Sequence, residues 1–156
     1  MTDSISDRLA ELGIQLPEAA APVAAYVPAV EAGGMLYISG QVSFRADGSL
    51  ITGRLGEDLD LAHGQEAAER CGLLLIAQMK KALGSLDRVE RIVKLGAFIT
   101  SAPGFTDQPK VANGASELME KVFGEAGRHA RAAVGVPALP LGAAVEIDAV
   151  VAVKAG

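Results

Sequence analysis

Charged residues stand on two strongly apolar segments near the carboxyl end of the chain. Arg131 begins the segment RAAVGV, and Glu146 and Asp148 lie inside VEIDAVVAV. Burying a charge without a partner costs several kcal/mol, so each side chain should meet a partner, a ligand or solvent. An arginine suits bidentate capture of a carboxylate or phosphate. A glutamate can exchange a proton with water when its pKa lies near neutrality.

Glu146 and Asp148 also allow other interpretations. They are two residues apart, which places them on one face of a strand about 7 Å from each other. Such a pair suits glycosidic chemistry, but a chain with 4% aromatic residues has little to stack on a sugar ring. We therefore expect Asp148 to point to solvent.

The residues alone do not decide the roles of the cationic side chains either. For Arg131, a structural salt bridge and a ligand contact are both compatible with the pattern. His129, beside Arg128, is either a titrating acid or base or a surface residue, which we favour. His63 lies far from His129, and neither has the spacing of a metal site, so no metal is expected. Cys71, in AAERCGLLLIAQM, has the spacing of a small core side chain on a helix.

Length and composition favour one domain over residues 1–156. A net charge of -5 and the absence of Trp argue against nucleic acid as a partner. No uncharged apolar run is long enough to cross a membrane, and the first residues carry acids where a signal peptide needs basic residues. We expect a cytoplasmic protein that does not bind membranes.

Hydrophobic spacing predicts the elements that must position these residues. A helical extension over 1–16 precedes two strands, around 24–31 and 34–44, that are separated by AGG. A short third strand is expected at Leu50 and Ile51. A long helix follows over 61–83, with Ala68, Gly72, Leu75, Met79 and Ala82 on its apolar face.

The second half of the chain alternates strands with one more helix. RIVKLGAFIT predicts a strand with Val93, Leu95, Ala97 and Ile99 on one face. A helix begins after Asp107 and ends at Gly124, and the two apolar segments form the last strands. The order favours an α+β layer over a Rossmann sheet, and no G-x-G-x-x-G follows any strand.

Two longer motifs resemble those of a known family. RAAVGVPALPLGAAVEIDAV is similar to the carboxy-terminal signature of the RidA family, also called the YjgF or L-PSP family. YVPAVEAGGMLYISGQV is similar to a motif near the amino end of the same proteins. The resemblance runs from about residue 24 to 153, with both motifs in the expected order.

The resemblance implies a chorismate-mutase-like α+β fold: a mixed sheet with two main helices on one face, assembled as a homotrimer with ligand clefts between subunits. It also implies hydrolysis of reactive 2-imino acids, such as 2-iminobutanoate and 2-iminopropanoate, and of their enamine tautomers. The products are 2-oxo acids and ammonia, and neither a metal nor an organic cofactor takes part. The expected partners are therefore small 2-imino or 2-oxo carboxylates and further copies of the chain.

Site residues follow from the matched motifs. Arg131 matches the arginine that binds the substrate carboxylate, and Glu146 matches the glutamate that positions water or transfers a proton. The remaining pocket residues implied by the resemblance are Tyr26, Ser39, Gly40, Asn113 and Ala133.

Departures from the family pattern leave other functions open. Ala133 stands where the best-known members carry a cysteine, and the extension over 1–16 and the segment GEAGRHAR indicate a divergent branch. One alternative is a regulator that binds small carboxylates without turnover. Another is an endoribonuclease, a role sometimes attached to this family, in which His129 would act with Arg128 and Arg131 on phosphate.

Overall fold

Two long helices lie on one face of a five-stranded sheet in this computed structural model, which describes residues 3–21 and 25–156. Short 3-10 turns join some of the elements. In chain order the elements are α1 (Ser4–Glu11), β1 (Ala29–Ala32), β2 (Met35–Val42), α2 (Leu61–Leu83), β3 (Val89–Thr100), α3 (Gln108–Phe123), β4 (Ala130–Val136) and β5 (Val145–Val153).

The sheet is mixed, with the strand order β1-β2-β5-β3-β4. Only β3 and β4 pair in parallel, and α3 forms the crossover between them, as a parallel pair requires. Helix α2 packs on β2 and β5, α3 packs on β3 and β4, and the two helices pack on each other. The predicted α+β class, with a mixed sheet and two helices on one face, is confirmed.

The hairpin between β1 and β2 explains the AGG signal. Gly33 and Gly34 have φ of 60° and 78°, and a two-residue turn with positive φ at both positions matches the twist of the flanking strands. The predicted strand around 24–31 is shorter in the structure, because β1 begins at Ala29. Residues 22–24, where that prediction began, lie outside the described residues.

The core lies between the sheet and the two helices. The middle of α2 is buried almost all round, and Val111, Ala115, Leu118 and Val122 of α3 are buried. Buried and half-buried residues alternate strictly along β5. This alternation confirms that Glu146 and Asp148 share the face away from the helices. Cys71 is fully buried, as expected, and its thiol donates to the Val145 carbonyl at 3.4 Å.

Three details of the predicted elements are wrong. Leu50 forms only an isolated bridge to Phe44, and no third strand forms there. Ala82 is exposed, whereas its neighbour Leu83 is buried. On β3 a register shift between Ile92 and Lys94 inserts an extra residue. Such a bulge reverses the alternation, so Ile92, rather than Val93, is buried with the core.

Helix α1 is attached to the turn that precedes β3. Asp3 caps α1 by accepting from the Ser6 N–H at 2.6 Å, and it also accepts from the Ser85 hydroxyl and the Leu86 N–H, each at 2.8 Å. Burial alone would raise the pKa of Asp3, but these hydrogen bonds outweigh it and lower the pKa to about 2. In return, Asp87 accepts from the Ser4 hydroxyl at 2.7 Å.

No helix in the described ranges is both long enough and apolar enough to cross a bilayer.

Candidate functional site

Strand register places Arg131 and Glu146 on opposite faces of the sheet. Arg131 pairs with Leu95, whose side chain is buried under the helices. Glu146 pairs with Phe98 and Val42 on the other face, called here the open face because no helix covers it. Since residues paired across a ladder share a face, one chain alone does not bring these two side chains together.

Glu146 lies in a cavity of about 560 Å³ formed by the open face and the segments around it. We call this the Glu146 cavity. Three of the predicted pocket residues, Tyr26, Ser39 and Gly40, line it together with Glu146. Further lining residues come from β2, α2, the loop before β5 and the segment before β1: Ala20, Ala21, Pro28, Gln41, Val42, Phe44, Leu74, Gln78, Pro140 and Leu141.

A bulge in β2 makes room for the Glu146 carboxylate. Between Ile38 and Gln41 the strand carries one residue more than β5 opposite it, and Ser39 and Gly40 occupy this irregularity. A Cβ placed on Gly40 would overlap the carboxylate of Glu146. Position 40 must therefore be glycine for Glu146 to hold this position. Ser39 is held from the other side, because its hydroxyl is 3.2 Å from the Pro28 carbonyl that it donates to.

The carboxyl of Glu146 receives no hydrogen bond from any residue in the described ranges, and no cation there lies within ion-pair distance of it. Burial raises its pKa, and the nearby negative charge of Asp148 raises the pKa further. Asp148 lies half-buried over Gly96 on the same open face, so part of its side chain is open to solvent, in line with the expectation. A carboxyl group in such surroundings can accept and return a proton closer to neutral pH than an ordinary glutamate can.

Arg131 belongs to a second group of polar side chains, on the helix side of the sheet edge. Its Nη1 donates to Asn113 Oδ1 at 2.9 Å and to Ser116 Oγ at 3.1 Å. Both acceptors are neutral and lie one turn apart on α3. No carboxylate of residues 3–21 or 25–156 lies within 4 Å of the guanidinium. The salt-bridge interpretation of Arg131 is therefore wrong for this chain, and its charge remains available to an anion.

His129 continues this hydrogen-bonded group. Its Nδ1 lies 2.6 Å from the Gly127 carbonyl, which can only accept, so Nδ1 carries the ring proton. The bare Nε2 then accepts from the Ser116 hydroxyl at 2.8 Å. Burial lowers the pKa of His129, and the charge of Arg131 lowers it further. The histidine is half-buried and hydrogen-bonded at both ring nitrogens, by partners that the sequence did not indicate.

The chain Arg131 to Ser116 to His129 to the Gly127 carbonyl has one consistent donor direction. We call these side chains, with Asn113, the Arg131 cluster. Ala133 lies on the same face of β4, half-buried against the core, and offers only a methyl group where the family's cysteine would stand. The arrangement can hold a carboxylate against a fixed guanidinium.

Sequence reasoning did not identify Ser116, Gln41, Gln78 or Leu141. Ser116 follows Asn113 by three positions on a helix, and that spacing was a readable signal that both face one direction. The other three gave no such signal, because α2, β2 and a loop bring them together only in the folded chain. Leu141 is also unusual in its backbone: its φ of 62° is left-handed, which costs a residue with a side chain about 1–2 kcal/mol.

Across the described ranges no three His, Cys, Asp or Glu side chains are grouped so that they could hold a metal ion.

Comparison with known proteins agrees with the fold and with the order of the motifs. Residues 6–151 match a family model described as "YjgF/chorismate_mutase-like, putative endoribonuclease". The chain is 53% identical over 148 residues to Protein TCP17 of Trypanosoma cruzi, covering 94% of this chain and 92% of that one. It is 28% identical over 142 residues to a 2-iminobutanoate/2-iminopropanoate deaminase of Dermatophagoides farinae, covering 90% and 95%.

A solved structure gives the same result in three dimensions. The crystal structure of protein Atu1372 from Agrobacterium tumefaciens superposes with a TM-score of 0.89 at 48% identity, over 96% of this chain and 92% of that one. The family model spans most of the chain, and the mixed sheet with two main helices on one face agrees with the fold that the resemblance implies. The chain belongs to the RidA family, also known as the YjgF/chorismate mutase-like family.

Proposed function

We propose that this protein hydrolyses 2-imino acids and their enamine tautomers to 2-oxo acids and ammonia. The observation that carries the proposal is the carboxyl of Glu146, which faces a cavity, receives no hydrogen bond from the described residues and has a raised pKa. The name of the Dermatophagoides farinae relative supports the same reaction. Arg131, with its charge unpaired, supplies the complementary group for the substrate carboxylate.

A complete site needs a second copy of the chain, because Arg131 and Glu146 lie on opposite faces of one sheet. The open face supports such an assembly: Val30, Tyr37 and Val134 are 49%, 50% and 45% exposed there. Large exposed apolar patches mark interaction surfaces. We propose a homotrimer in which the sheet edge that bears Arg131 of one copy adjoins the Glu146 cavity of the next.

The proposed reaction is balanced without any further reactant. Arg131 holds the carboxylate and orients the C2 carbon. Glu146 takes a proton from water as the water oxygen bonds to C2 and the C=N double bond becomes a C–N single bond. Glu146 then gives this proton to the amino nitrogen and takes the proton of the new C2 hydroxyl as the C–N bond breaks. The hydroxyl oxygen becomes the carbonyl of a 2-oxo acid, ammonia leaves, and the proton now on Glu146 passes to ammonia, so that an iminium and one water yield the 2-oxo acid and ammonium.

Imines produced in situ by an L-amino-acid oxidase test the proposal. With catalase present to remove peroxide, imine decay and ammonia release should accelerate in proportion to added protein. The matched control is Glu146→Gln at the same concentration. Equal rates with wild type, with the variant and without protein would refute the hydrolase.

The alternatives give different results in the same preparations. A regulator that only binds carboxylates would bind a 2-oxo acid in calorimetry without accelerating imine decay. An endoribonuclease would cleave RNA and would lose that activity in His129→Ala. Both ring nitrogens of His129 are already hydrogen-bonded, so no observation favours this second function.

The proposed homotrimer is tested by its mass in solution. Light scattering at micromolar concentration should give a mass near 48 kDa, corresponding to three chains of 16.0 kDa. A monomer would leave the open face uncovered and Arg131 distant from Glu146, and would overturn the site as proposed.

A further inference from the structure

Leu141 combines two features that do not benefit the fold. Its side chain is 75% exposed, and its backbone is left-handed, with φ 62° and ψ 11°. A glycine would adopt this conformation without steric penalty, and it would expose no apolar side chain. Strained residues of this kind occur where a ligand or switch uses them. A functional role for Leu141 would therefore depend on the groups that its side chain borders.

The surrounding backbone holds Leu141 in place. Directly after it, the Ala143 carbonyl accepts from the Thr100 hydroxyl at 2.8 Å, and the Ala144 N–H donates to the Ile51 carbonyl at 2.9 Å. Ala143 also forms a bridge with Thr52. These contacts attach the end of the loop to the sheet, so the strained conformation is maintained by the fold around it.

The side chain of Leu141 borders the Glu146 cavity. Phe44, Leu74 and Pro140 line the same cavity and give it an apolar wall. The neutral polar side chains that line the cavity are Tyr26, Ser39, Gln41 and Gln78. Three of them donate within the protein: Ser39 Oγ to the Pro28 carbonyl at 3.2 Å, Gln41 Nε2 to the Ser39 carbonyl at 3.1 Å, and Gln78 Nε2 to the Ala20 carbonyl at 3.0 Å. The wall thus presents few free polar groups to a ligand.

Charge in the cavity restricts the ligand further. Among the described residues that line it, Glu146 is the only charged side chain. No lysine, arginine or histidine there could compensate a second carboxylate on the substrate, and the Glu146 charge would repel it. Neutral substrates avoid this cost.

We propose that the Glu146 cavity selects imino acids with large, neutral, apolar side chains, and that Leu141 is a specificity-determining residue that packs on that side chain. This inference rests on the proposed imine hydrolysis. The class comprises branched aliphatic and aromatic side chains. Small, acidic and basic side chains are disfavoured, because they leave the apolar wall unfilled or bring charge into it.

Imines made from leucine, phenylalanine, alanine and glutamate test this class. The wild type should show a kcat/KM for the leucine imine about tenfold or more above that for the alanine imine, as apolar pockets typically discriminate. Leu141→Gly should lose about tenfold on the leucine and phenylalanine imines and less than twofold on the alanine imine. Its melting temperature should equal or exceed that of the wild type, because the strain is removed.

Two controls separate specificity from structure. Leu12→Ala removes another exposed leucine, 41% exposed at the end of α1 and outside the Glu146 cavity, and should leave the preference unchanged. Light scattering should give the same mass for Leu141→Gly as for the wild type. If Leu141→Gly dissociates, Leu141 is a subunit contact, and the inference is overturned.

Calorimetry with product-like acids keeps the inference testable if no imine is hydrolysed. Wild type should bind 4-methyl-2-oxopentanoate more tightly than pyruvate or 2-oxoglutarate, and Leu141→Gly should lose that preference. This result without turnover would refute the hydrolase while supporting the selectivity. Equal affinity for the three acids, an equal loss on all imines in Leu141→Gly, or a preference for the glutamate imine would refute the selectivity itself.

Discussion

The Glu146 cavity and the Arg131 cluster treat their charged groups in opposite ways. Arg131 is held by Asn113 and Ser116, and His129 holds Ser116 in turn. Glu146 receives no hydrogen bond from the described residues and has a carboxylate, Asp148, as its charged neighbour. Hydrogen-bond partners thus fix the guanidinium of Arg131, whereas the carboxyl of Glu146 has none among the described residues.

The difference corresponds to the two tasks of the proposed reaction. A group that orients a substrate must have one position, and hydrogen bonds to its non-binding side provide that position. A group that exchanges protons needs a pKa near the working pH, and hydrogen bonds from donors would lower the pKa of a carboxyl. The chain therefore stabilises the binding group and leaves the reactive group destabilised.

Removal of the reactive carboxyl should produce the largest effect. Glu146→Gln keeps the shape of the side chain but cannot take a proton, so imine hydrolysis should fall about 10²- to 10⁴-fold. Because burial raises the folded-state pKa, ionised Glu146 destabilises the fold above that pKa. The variant should therefore melt at an equal or higher temperature than wild type at pH 7.

The stability difference has a predicted pH dependence. Below the ordinary glutamate pKa of about 4.3, Glu146 is protonated in both states and its destabilisation vanishes, so the two proteins should melt alike apart from the amide itself. Calorimetry at pH 7 and near pH 4 measures this. A variant that melts lower than wild type at pH 7 would show that Glu146 stabilises the fold and would contradict the contrast drawn here.

Removal of the Arg131 guanidinium should reduce activity nearly as much as removal of the Glu146 carboxyl. Arg131→Ala should lose on the order of a hundredfold in kcat/KM, because both affinity and orientation disappear, and Arg131→Lys should lose a large part because it lacks the planar pair of donors. Neither change leaves a buried acid without its partner, since Arg131 has no ion pair here. A melting temperature near wild type is therefore expected, and a loss of about 3–5 kcal/mol in stability would restore the salt-bridge interpretation.

Weakening the support of Arg131 should have a moderate effect. Ser116→Ala removes the hydroxyl that links Arg131 to His129, and the KM for imine should rise about tenfold, as one charge-assisted hydrogen bond is typically worth, while kcat changes little. Ser116→Thr keeps the hydroxyl and should restore most of the loss. If Thr and Ala variants behave alike, the serine acts through packing and not through its hydrogen bonds.

The smallest effect should come from Asp148. Its charge raises the pKa of Glu146, so Asp148→Asn should move the acidic limb of the pH–rate profile to lower pH, because Glu146 then ionises more readily. The rate at neutral pH should change little. A shift to higher pH would mean that Asp148 acts on some other group.

The sequence was informative where neighbouring residues share one periodic pattern. The bounds of α2 agree with the predicted 61–83, and the faces of β5 agree residue by residue. The sequence did not indicate the β-bulges or the side-chain faces that depend on them. Val93 was assigned to the wrong face because the extra residue in β3 depends on pairing with β5, a strand more than fifty positions away in the chain.

The candidate site likewise has features that the sequence predicted and features that it did not. The types and motif positions of Arg131 and Glu146 were readable, and so was the need for glycine-rich turns. Their locations on opposite faces were not, because alternation within a strand says nothing about how two strands are paired. The hydrogen bonding of His129 was not readable for a related reason: its partner Ser116 lies on another element.

The sequence by itself determined the elements, the inward and outward faces within β4 and β5, and the residue types able to hold a carboxylate or move a proton, because these depend on local periodicity and side-chain chemistry. Only the tertiary structure decided that a bulge brings Gly40 against Glu146, that Arg131 is bound by neutral acceptors, and that Leu141 borders the cavity. These features arise from contacts between segments far apart in the chain, whose geometry is set when the sheet and helices pack together.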